Sequence, residues 1–248
     1  MLATININNS IVTVDFLKPL DISIVMSDSA QNPLAWYIEK PVISPVQLGD
    51  WTGKVSKGAA VNFNNISFNP HAHGTHTECL GHITETFHSV NDALKDFFFM
   101  AEVITISPEL IEQDYVLTVA SVAQKLEGKT PKAVVIRTLP NTISKTTKKS
   151  SNTNWPYLDH KAAEFLRDLG VQHLLIDLPS VDKEKDGGNL LAHKAFWNIP
   201  KAPRATATIT EFIYVKDTIK DGSYLLNLQV APFENDAAPS RPVLYKLV

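Results

Sequence analysis

The stretch that decides the fold is Asn69-Pro-His71-Ala-His73-Gly-Thr-His76-Thr-Glu78-Cys-Leu-Gly-His82. It holds four of the chain's eight histidines within twelve positions, far more than ordinary composition would place there. Imidazole and carboxylate groups are the ligands of many metal ions and the commonest proton carriers in enzymes. The stretch therefore predicts a metal or acid/base site, in preference to a solvated histidine-rich loop.

The spacing within this stretch indicates which side chains share a site. In an extended segment, alternate residues lie on one face, so His76 and Glu78 should point the same way, as two ligands of one ion. Gly74 is expected to permit a sharp turn that brings His71 or His73 to the same ion. Imidazole with carboxylate suits Zn²⁺, Mn²⁺ or Fe²⁺.

Composition excludes several other classes of protein. The 248 residues are 44% hydrophobic and 20% charged, with a formal net charge of −3, which argues against nucleic acid or an anionic membrane as the main partner. The single cysteine, Cys79, excludes a disulfide framework and a Cys-rich zinc module, and it alternates away from Glu78 as a packed thiol. No apolar run of about 18 residues suggests a transmembrane helix. The first residues alternate like a strand, so we expect no signal peptide and a cytoplasmic protein.

Hydrophobic periodicity predicts strands interleaved with two or three helices, and hence one α/β domain over residues 1–248. A hairpin is expected over 4–9 and 11–15, and the segment 138–154 with its basic run 145–149 is interpreted as a solvated loop, because no glycine-rich phosphate cradle accompanies it. The other predicted strands are 101–107, 133–137, 174–176, 206–213 and 223–229. The predicted helices are 119–126 with Thr118 as N-cap, 160–169 with Asp159 as N-cap and Gly170 at its end, and 188–197.

Two known motifs overlap in the histidine-rich stretch. His71-Ala-His73-Gly-Thr75-His76 resembles the H-x-H-x-D-H pattern of metallo-β-lactamase-fold hydrolases. Thr75, however, stands where that family has an aspartate, and threonine cannot replace a metal-binding carboxylate. The shorter H-x-H pattern is also similar to that of barrel amidohydrolases, but the chain lacks their eightfold βα rhythm.

The second motif matches better. Gly74-Thr75-His76-x-Glu78-x-x-x-His82 resembles the G-T-H-x-D-x-P-x-H signature of the cyclase family, which includes bacterial-type kynurenine formamidase and isatin hydrolase. The resemblance continues in the family's order over most of the chain. The further segments that carry it are Asp21-Ile22-Ser23, Ile176-Asp177-Leu-Pro-Ser180-Val-Asp182, Leu191-Ala-His193 and Ile209-Thr210-Glu211.

This resemblance implies a fold and a function. The fold is a single α/β domain of the swivelling β/β/α type, with a twisted, barrel-like mixed sheet flanked by helices, in a homodimer. The implied activity is hydrolysis of a C–N bond in a small-molecule amide, an arylformamide or a cyclic amide, by water activated on one or two divalent ions, Zn²⁺ or Mn²⁺. The residues that the resemblance assigns are His76, Glu78, His193 and Glu211 as metal ligands, His82 as general acid/base, and Trp36 as a wall of the substrate pocket.

Departures from the signature leave alternatives open. Ala72 occupies the position of the family's first histidine, so a neighbour must replace it, and we expect His71 to be the metal ligand in preference to His73. Glu78 replaces the usual aspartate, and Leu80 replaces a proline. A family member that binds metal and a small molecule without catalysis is therefore a second hypothesis. A serine hydrolase is not indicated, because no G-x-S-x-G motif occurs.

Glu211 has independent support from its surroundings. It is the only charged residue in the stretch 205–215, which alternates like a buried strand. An unpaired buried carboxylate would be costly, and a metal ion beside it would remove that cost.

Overall fold

A curled, nine-stranded mixed sheet forms the centre of the fold in a computed structural model that describes residues 1–7 and 10–248. The strands in chain order are β1 (Leu2–Ile7), β2 (Ser10–Asp15), β3 (Leu20–Asp21), β4 (Val42–Pro45), β5 (Gln47–Leu48), β6 (Trp51–Thr52), β7 (Asn64–Ser67), β8 (His76–Glu78), β9 (Phe98–Ile106), β10 (Glu109–Ile111), β11 (Asp114–Leu117), β12 (Ala133–Thr138), β13 (Tyr157–Leu158), β14 (His173–Ile176), β15 (Thr208–Glu211), β16 (Gly222–Asn227), β17 (Ala237–Pro239) and β18 (Val243–Lys246). The α-helices are α1 (Pro70–His73), α2 (Val90–Ala93), α3 (Val119–Lys125), α4 (His160–Asp168) and α5 (Leu191–Trp197). Short 3₁₀ turns lie at Val55–Lys57, Leu80–Ile83 and Ile143–Thr147.

The large sheet has the order β17-β8-β15-β14-β12-β9-β16-β18-β3. Its four central strands, β15, β14, β12 and β9, are parallel, whereas every pairing outside them is antiparallel. This mixed sheet confirms the predicted α/β class. The antiparallel pair β8 and β17 lies at one edge, and it brings the histidine-rich stretch beside the end of the parallel strands.

The apolar core lies on both faces of the sheet. On β12, Val134 and Ile136 pack with α3, α4 and α5 on one face, whereas Ala133 and Val135 face a second cluster built from β16, β18 and the segment after β15. This alternation follows from the period of two in a strand. A strand covered on both faces explains why 133–136 is apolar throughout.

The predicted helices are present, and one begins later than expected. Thr118 caps α3 and Asp159 caps α4 through their side chains, as predicted. The expected helix 188–197 starts only at Leu191. Asp186 accepts hydrogen bonds from the backbone of Gly188 (2.7 Å) and Leu190 (2.6 Å), and this turn holds the chain out of helical geometry.

The remaining sequence predictions have different outcomes. Strands β1 and β2 pair as an antiparallel hairpin, although Asn8 and Asn9 of the expected hairpin lie outside the described residues. The prediction of a solvated loop over 138–154 is wrong in part, because Ser150 is buried and the Lys145 ammonium donates to the buried carboxylate of Asp177 at 2.7 Å. Within the described residues, no helix is both long and apolar enough to cross a membrane.

Candidate metal centre

Strand β8 places His76 and Glu78 on one face, as their spacing predicts. Its register with β15 sets His76 directly opposite Glu211, so the imidazole Nε2 of His76 lies 3.4 Å from a carboxylate oxygen of Glu211. All three side chains are buried. The intervening Thr77 faces the other way and hydrogen-bonds Thr210 at 2.8 Å, which locks the register of the two strands.

Helix α1 decides which of the two earlier histidines reaches the cluster. The Nδ1 atom of His71 lies 3.0 Å from Oε2 of Glu78. The ring of His73 points elsewhere, with its Nδ1 accepting from the backbone of Asn69 (2.8 Å) and its Nε2 facing the carbonyl of Glu39 (2.8 Å). The geometry therefore agrees with the preference for His71.

The expected sharp turn at Gly74 is wrong. This glycine has φ 160° and ψ −165°, which is extended backbone, and a Cβ atom there would make only ordinary contacts of 3.6 Å or more. The reversal occurs instead in the single turn of α1, which Pro70 opens with its fixed φ. Gly74 contributes its carbonyl, which lies 3.0 Å from Nδ1 of His76 and leaves Nε2 of that ring to face the cluster.

Glu78 lies at the centre of the cluster. Its oxygens are 3.0 Å from Nδ1 of His71, 3.0 Å from Nε2 of His193, 3.8 Å from Nε2 of His82 and 4.0 Å from Nε2 of His76. The carboxylate is fully buried. Helix α5 supplies His193, and a carboxylate oxygen of Glu211 lies 3.8 Å from its Nε2. The structure thus brings together all five residues predicted as ligands.

Three buried atoms of this cluster lack a hydrogen-bond partner of acceptable geometry among the described residues: Nδ1 of His71, Nε2 of His76 and Oε2 of Glu78. Buried polar atoms are almost always paired, so three orphans in one place need an explanation. Their lone pairs are the ligands that Zn²⁺ or Mn²⁺ takes in proteins. The donor set of His71, His76 and Glu78, whose ligand atoms lie within 4.8 Å of one another, therefore fits a divalent ion.

Two further carboxylates orient the histidines. Asp182 lies 2.5 Å from Nδ1 of His193 and also accepts from the backbone of Ala192 at the start of α5 (2.7 Å). A carboxylate behind a ligand histidine fixes its tautomer and raises its basicity. Asp182 belongs to the quoted family segment, although the sequence analysis assigned no role to it.

Asp236 has no counterpart in the sequence reasoning. It immediately precedes β17, and its carboxylate lies 2.9 Å from Nε2 of His71 and 3.3 Å from Nδ1 of His82. Only the pairing of β17 with β8 brings it there. No local motif surrounds it, so no signal in the sequence could have identified it.

His82 lies at the wall of the site and not at its floor. Its ring stacks on that of His71 at a centroid distance of 4.1 Å, and 31% of its side chain is exposed. The cluster opens into a cavity of about 360 Å³, which Trp36, Ile38 and Leu190 line on the apolar side. Trp36 packs edge-on against Trp155 at 5.0 Å. The two residues predicted to act on substrate, His82 and Trp36, thus share one cavity with three of the predicted ligands, His71, His193 and Glu211.

The carboxylates of the cluster stabilise positive charge on the histidines beside them. Burial lowers the pKa of His71, but its hydrogen bond with Asp236 and the adjacent carboxylate of Glu78 outweigh this and raise the pKa to about 10. Burial likewise opposes the charge on His193, yet Asp182 and Glu78 raise its pKa well above the usual value. Burial raises the pKa of Glu78, but His82, His193 and His71 outweigh it and hold that pKa well below its usual range. Cys79 packs away from the site, and burial raises its thiol pKa to about 11.

The two neighbouring histidines provide a matched test of the ligand set. We expect His71→Gln to reduce bound metal sharply, because it removes an atom that faces the cluster. His73→Gln should retain metal, because that ring faces the backbone outside the cluster, although the loss of two buried hydrogen bonds should lower the melting temperature. Elemental analysis of the purified variants measures the metal. Equal metal content in both variants would contradict the assignment.

Metal affinity should rise with pH. Protons on His71 and His193 compete with a metal ion, and the raised pKa of His71 means that its proton stays bound across neutral pH. Metal binding then releases protons, so the apparent affinity should increase between pH 6 and 9, by up to about tenfold per pH unit for each proton displaced. Competition with a chelator at several pH values measures this, and an affinity that fell or stayed constant would contradict it.

Comparison with known proteins agrees with the fold and the motif. The model of the cyclase family matches residues 20–183. A search of curated proteins found no match.

The metallo-β-lactamase alternative is wrong, because the fold is that of the cyclase family and the third histidine that it requires, His73, faces away from the cluster.

Three solved structures illustrate the similarity. A potential metal-dependent hydrolase with cyclase activity is 19% identical, with a TM-score of 0.65, over 92% of this chain and 98% of that one. An isatin hydrolase bound to the product analogue thioisatinate is 17% identical, with a TM-score of 0.63 and 93% of each chain covered. Isatin hydrolase A from Labrenzia aggregata, bound to benzyl benzoate, is 14% identical, with a TM-score of 0.68, over 92% of this chain and 93% of that one. These identities establish a shared fold, and the family model, which matches well over half of the sequence, shows that the chain belongs to the cyclase family.

Proposed function

We propose that the protein is a metal-dependent hydrolase that cleaves the C–N bond of a small amide, an arylformamide or a cyclic amide. The observation that carries the proposal is the convergence of three orphaned ligand atoms, on His71, His76 and Glu78, beside a cavity that His71, His193 and Glu211 line. Membership of the cyclase family and the shared fold with isatin hydrolases support it. A purely structural metal site would not need an adjoining cavity of this size.

The metal would be Zn²⁺ or Mn²⁺, one or two ions, held by His71, His76, Glu78, His193 and Glu211. A divalent ion supplies Lewis-acid chemistry, namely activation of water and polarisation of the amide carbonyl. Of these ligands, Glu211 is further fixed by a hydrogen bond from the backbone of Val181 at 2.7 Å. This contact places one of its oxygens, and leaves the other facing His76.

His82 is the residue placed to move the proton. Its Nδ1 faces Asp236, and its exposed ring lines the cavity. The carboxylate orients the imidazole, as in other acid/base pairs. His82 can therefore take a proton from the attacking water and deliver it to the leaving nitrogen of the amide.

Trp36 is the residue placed to bind the body of the substrate. It is half-buried, held by Trp155 and flanked by Ile38 in the cavity wall. An aromatic wall beside a polar floor suits a flat substrate whose amide carbonyl points to the ligands. This arrangement favours aryl and cyclic amides over flexible aliphatic ones.

The oligomeric state, the substrate class and the cellular location stay predictions. We propose a homodimer, as the family resemblance implies, and the segment from β5 to β7 exposes apolar side chains that an interface would cover, including Leu48, Val61, Phe63 and Ile66. Light scattering during size-exclusion chromatography measures the oligomeric state. The small-molecule substrate and the cytoplasmic setting also stay predictions.

The central test is turnover by metal-loaded protein. We expect purified protein to contain a divalent metal, and hydrolysis of N-formyl aryl amines or cyclic aryl amides to depend on added Zn²⁺ or Mn²⁺. Chelation should abolish the rate and metal should restore it. Metal binding without turnover of either substrate group would favour the second hypothesis, a family member that binds small molecules without catalysis.

The role of His82 gives a sharper prediction. His82→Ala should reduce kcat by about 10²–10⁴-fold, the usual effect of losing one positioned acid/base group, while metal content stays near that of the parent protein. His76→Ala should lose metal and activity together. His160→Ala, on the exposed start of α4, is the matched control and should leave kcat unchanged. Near-full turnover by His82→Ala would show that His82 is not the proton carrier.

A further inference from the structure

A second cavity lies at the carboxyl ends of β12 and β14. It has a volume of about 230 Å³. Its walls combine apolar side chains with the charged side chain of Lys148. The apolar residues are Leu139, Trp155, Pro179 and Phe212. Ligands in α/β sheets commonly bind outside the carboxyl ends of parallel strands. Two lysines of the basic run 145–149, Lys145 and Lys148, line this cavity, although Lys148 is also exposed to solvent.

The second cavity is separate from the metal centre. Consecutive residues face opposite sides of the partition, since Glu211 lines the first cavity and Phe212 the second, and Ser180 lines the first and Pro179 the second. The edge-on pair of Trp36 and Trp155 completes this wall. A molecule in the second cavity would not contact the metal ligands.

The charged side chains around this cavity leave one cation without a partner among the described residues. Asp177 is fully buried, and Lys145 compensates it by donating to Asp177 (2.7 Å), to the carbonyl of Thr138 (2.6 Å) and to the hydroxyl of Thr138 (2.9 Å). These three bonds use all the protons of the Lys145 ammonium. Lys148 forms no ion pair with any described residue, and partial burial and the neighbouring Lys145 lower its pKa. The wall therefore carries a net positive charge that a monoanion would balance.

The second cavity also has its own route to solvent. A half-open surface groove of about 690 Å³ shares Leu139, Pro140, Lys148, Trp155 and Pro156 with it. The groove continues to Tyr115 and Thr153, away from the metal centre. A ligand can enter here without passing the catalytic cavity.

We propose that this cavity binds a small organic carboxylate with a flat apolar body. The carboxylate would pair with Lys148 at the mouth, and the flat body would fill the apolar part beside Trp155 and Pro179. An apolar pocket with one or two placed polar groups is the usual form of a small-molecule site. A phosphate fits less well, because a single unpaired lysine and proline-rich walls offer no cradle of backbone N–H donors.

Calorimetric titration of the metal-loaded protein tests this proposal with benzoate, its neutral analogue benzamide, and inorganic phosphate. We expect benzoate to bind at least tenfold more tightly than the other two. Lys148→Met should weaken benzoate binding about tenfold, as expected for losing one hydrogen bond between charged groups. Leu139→Trp, which fills the mouth of the cavity, should abolish it. Lys161→Met, the same change on an exposed face of α4, is the matched control and should have no effect.

A second arm separates this cavity from the metal centre, to which a carboxylate could also bind. His76→Ala removes a metal ligand and should leave benzoate affinity unchanged. Loss of benzoate binding in His76→Ala, or unchanged binding in both Lys148→Met and Leu139→Trp, would overturn the proposal. Absence of benzoate binding to the parent protein would overturn it as well. None of these readouts requires the protein to be a hydrolase.

Discussion

The fully buried carboxylate of Glu78 is the constraint on which the site depends. Removing a carboxylate from water costs several kcal/mol unless other groups compensate it. Here His71 and His193 lie 3.0 Å from its two oxygens, and His76 and His82 stand within 4.0 Å. These imidazoles come from β8, from the turns around it and from α5. Compensation of one buried charge therefore brings together parts of the chain that are distant in sequence.

The sheet topology places the groups that surround Glu78. A short antiparallel strand at the edge of a parallel sheet can receive side chains from both neighbours, and β8 has Glu211 opposite His76 on one side and Asp236 just before its partner strand on the other. Helix α5 approaches the same point because Asp182 binds it in two ways. The Asp182 carboxylate accepts from the backbone N–H groups of Ala192 and His193, near the start of the helix, and it also contacts the ring of His193. One carboxylate thus sets the start of a helix and the orientation of a ligand.

Sequence reasoning succeeded where the relation between residues is local or follows a family order. Alternation along an extended strand predicted that His76 and Glu78 share a face, and the family order predicted that His193 and Glu211 join them. It failed where long-range pairing or side-chain hydrogen bonds decide the outcome. Asp236 reaches the site only through strand register, 158 positions after Glu78 in the chain, and the late start of α5 depends on the side chain of Asp186.

Thr75 has no chemical role in the sequence analysis, but its hydrogen bonds join separate segments of the chain. Its hydroxyl accepts from the backbone of Ile24 (2.8 Å) and donates to the carbonyl of Phe212 (2.5 Å). Phe212 has φ 55°, a conformation that costs a bulky residue of order 1–3 kcal/mol and persists only when its surroundings enforce it. This turn directly follows Glu211. The strained backbone of Phe212 therefore lets Glu211 face the metal centre while Phe212 faces the second cavity. Thr75, the residue that argues against a metallo-β-lactamase motif, therefore holds the partition between the metal centre and the second cavity.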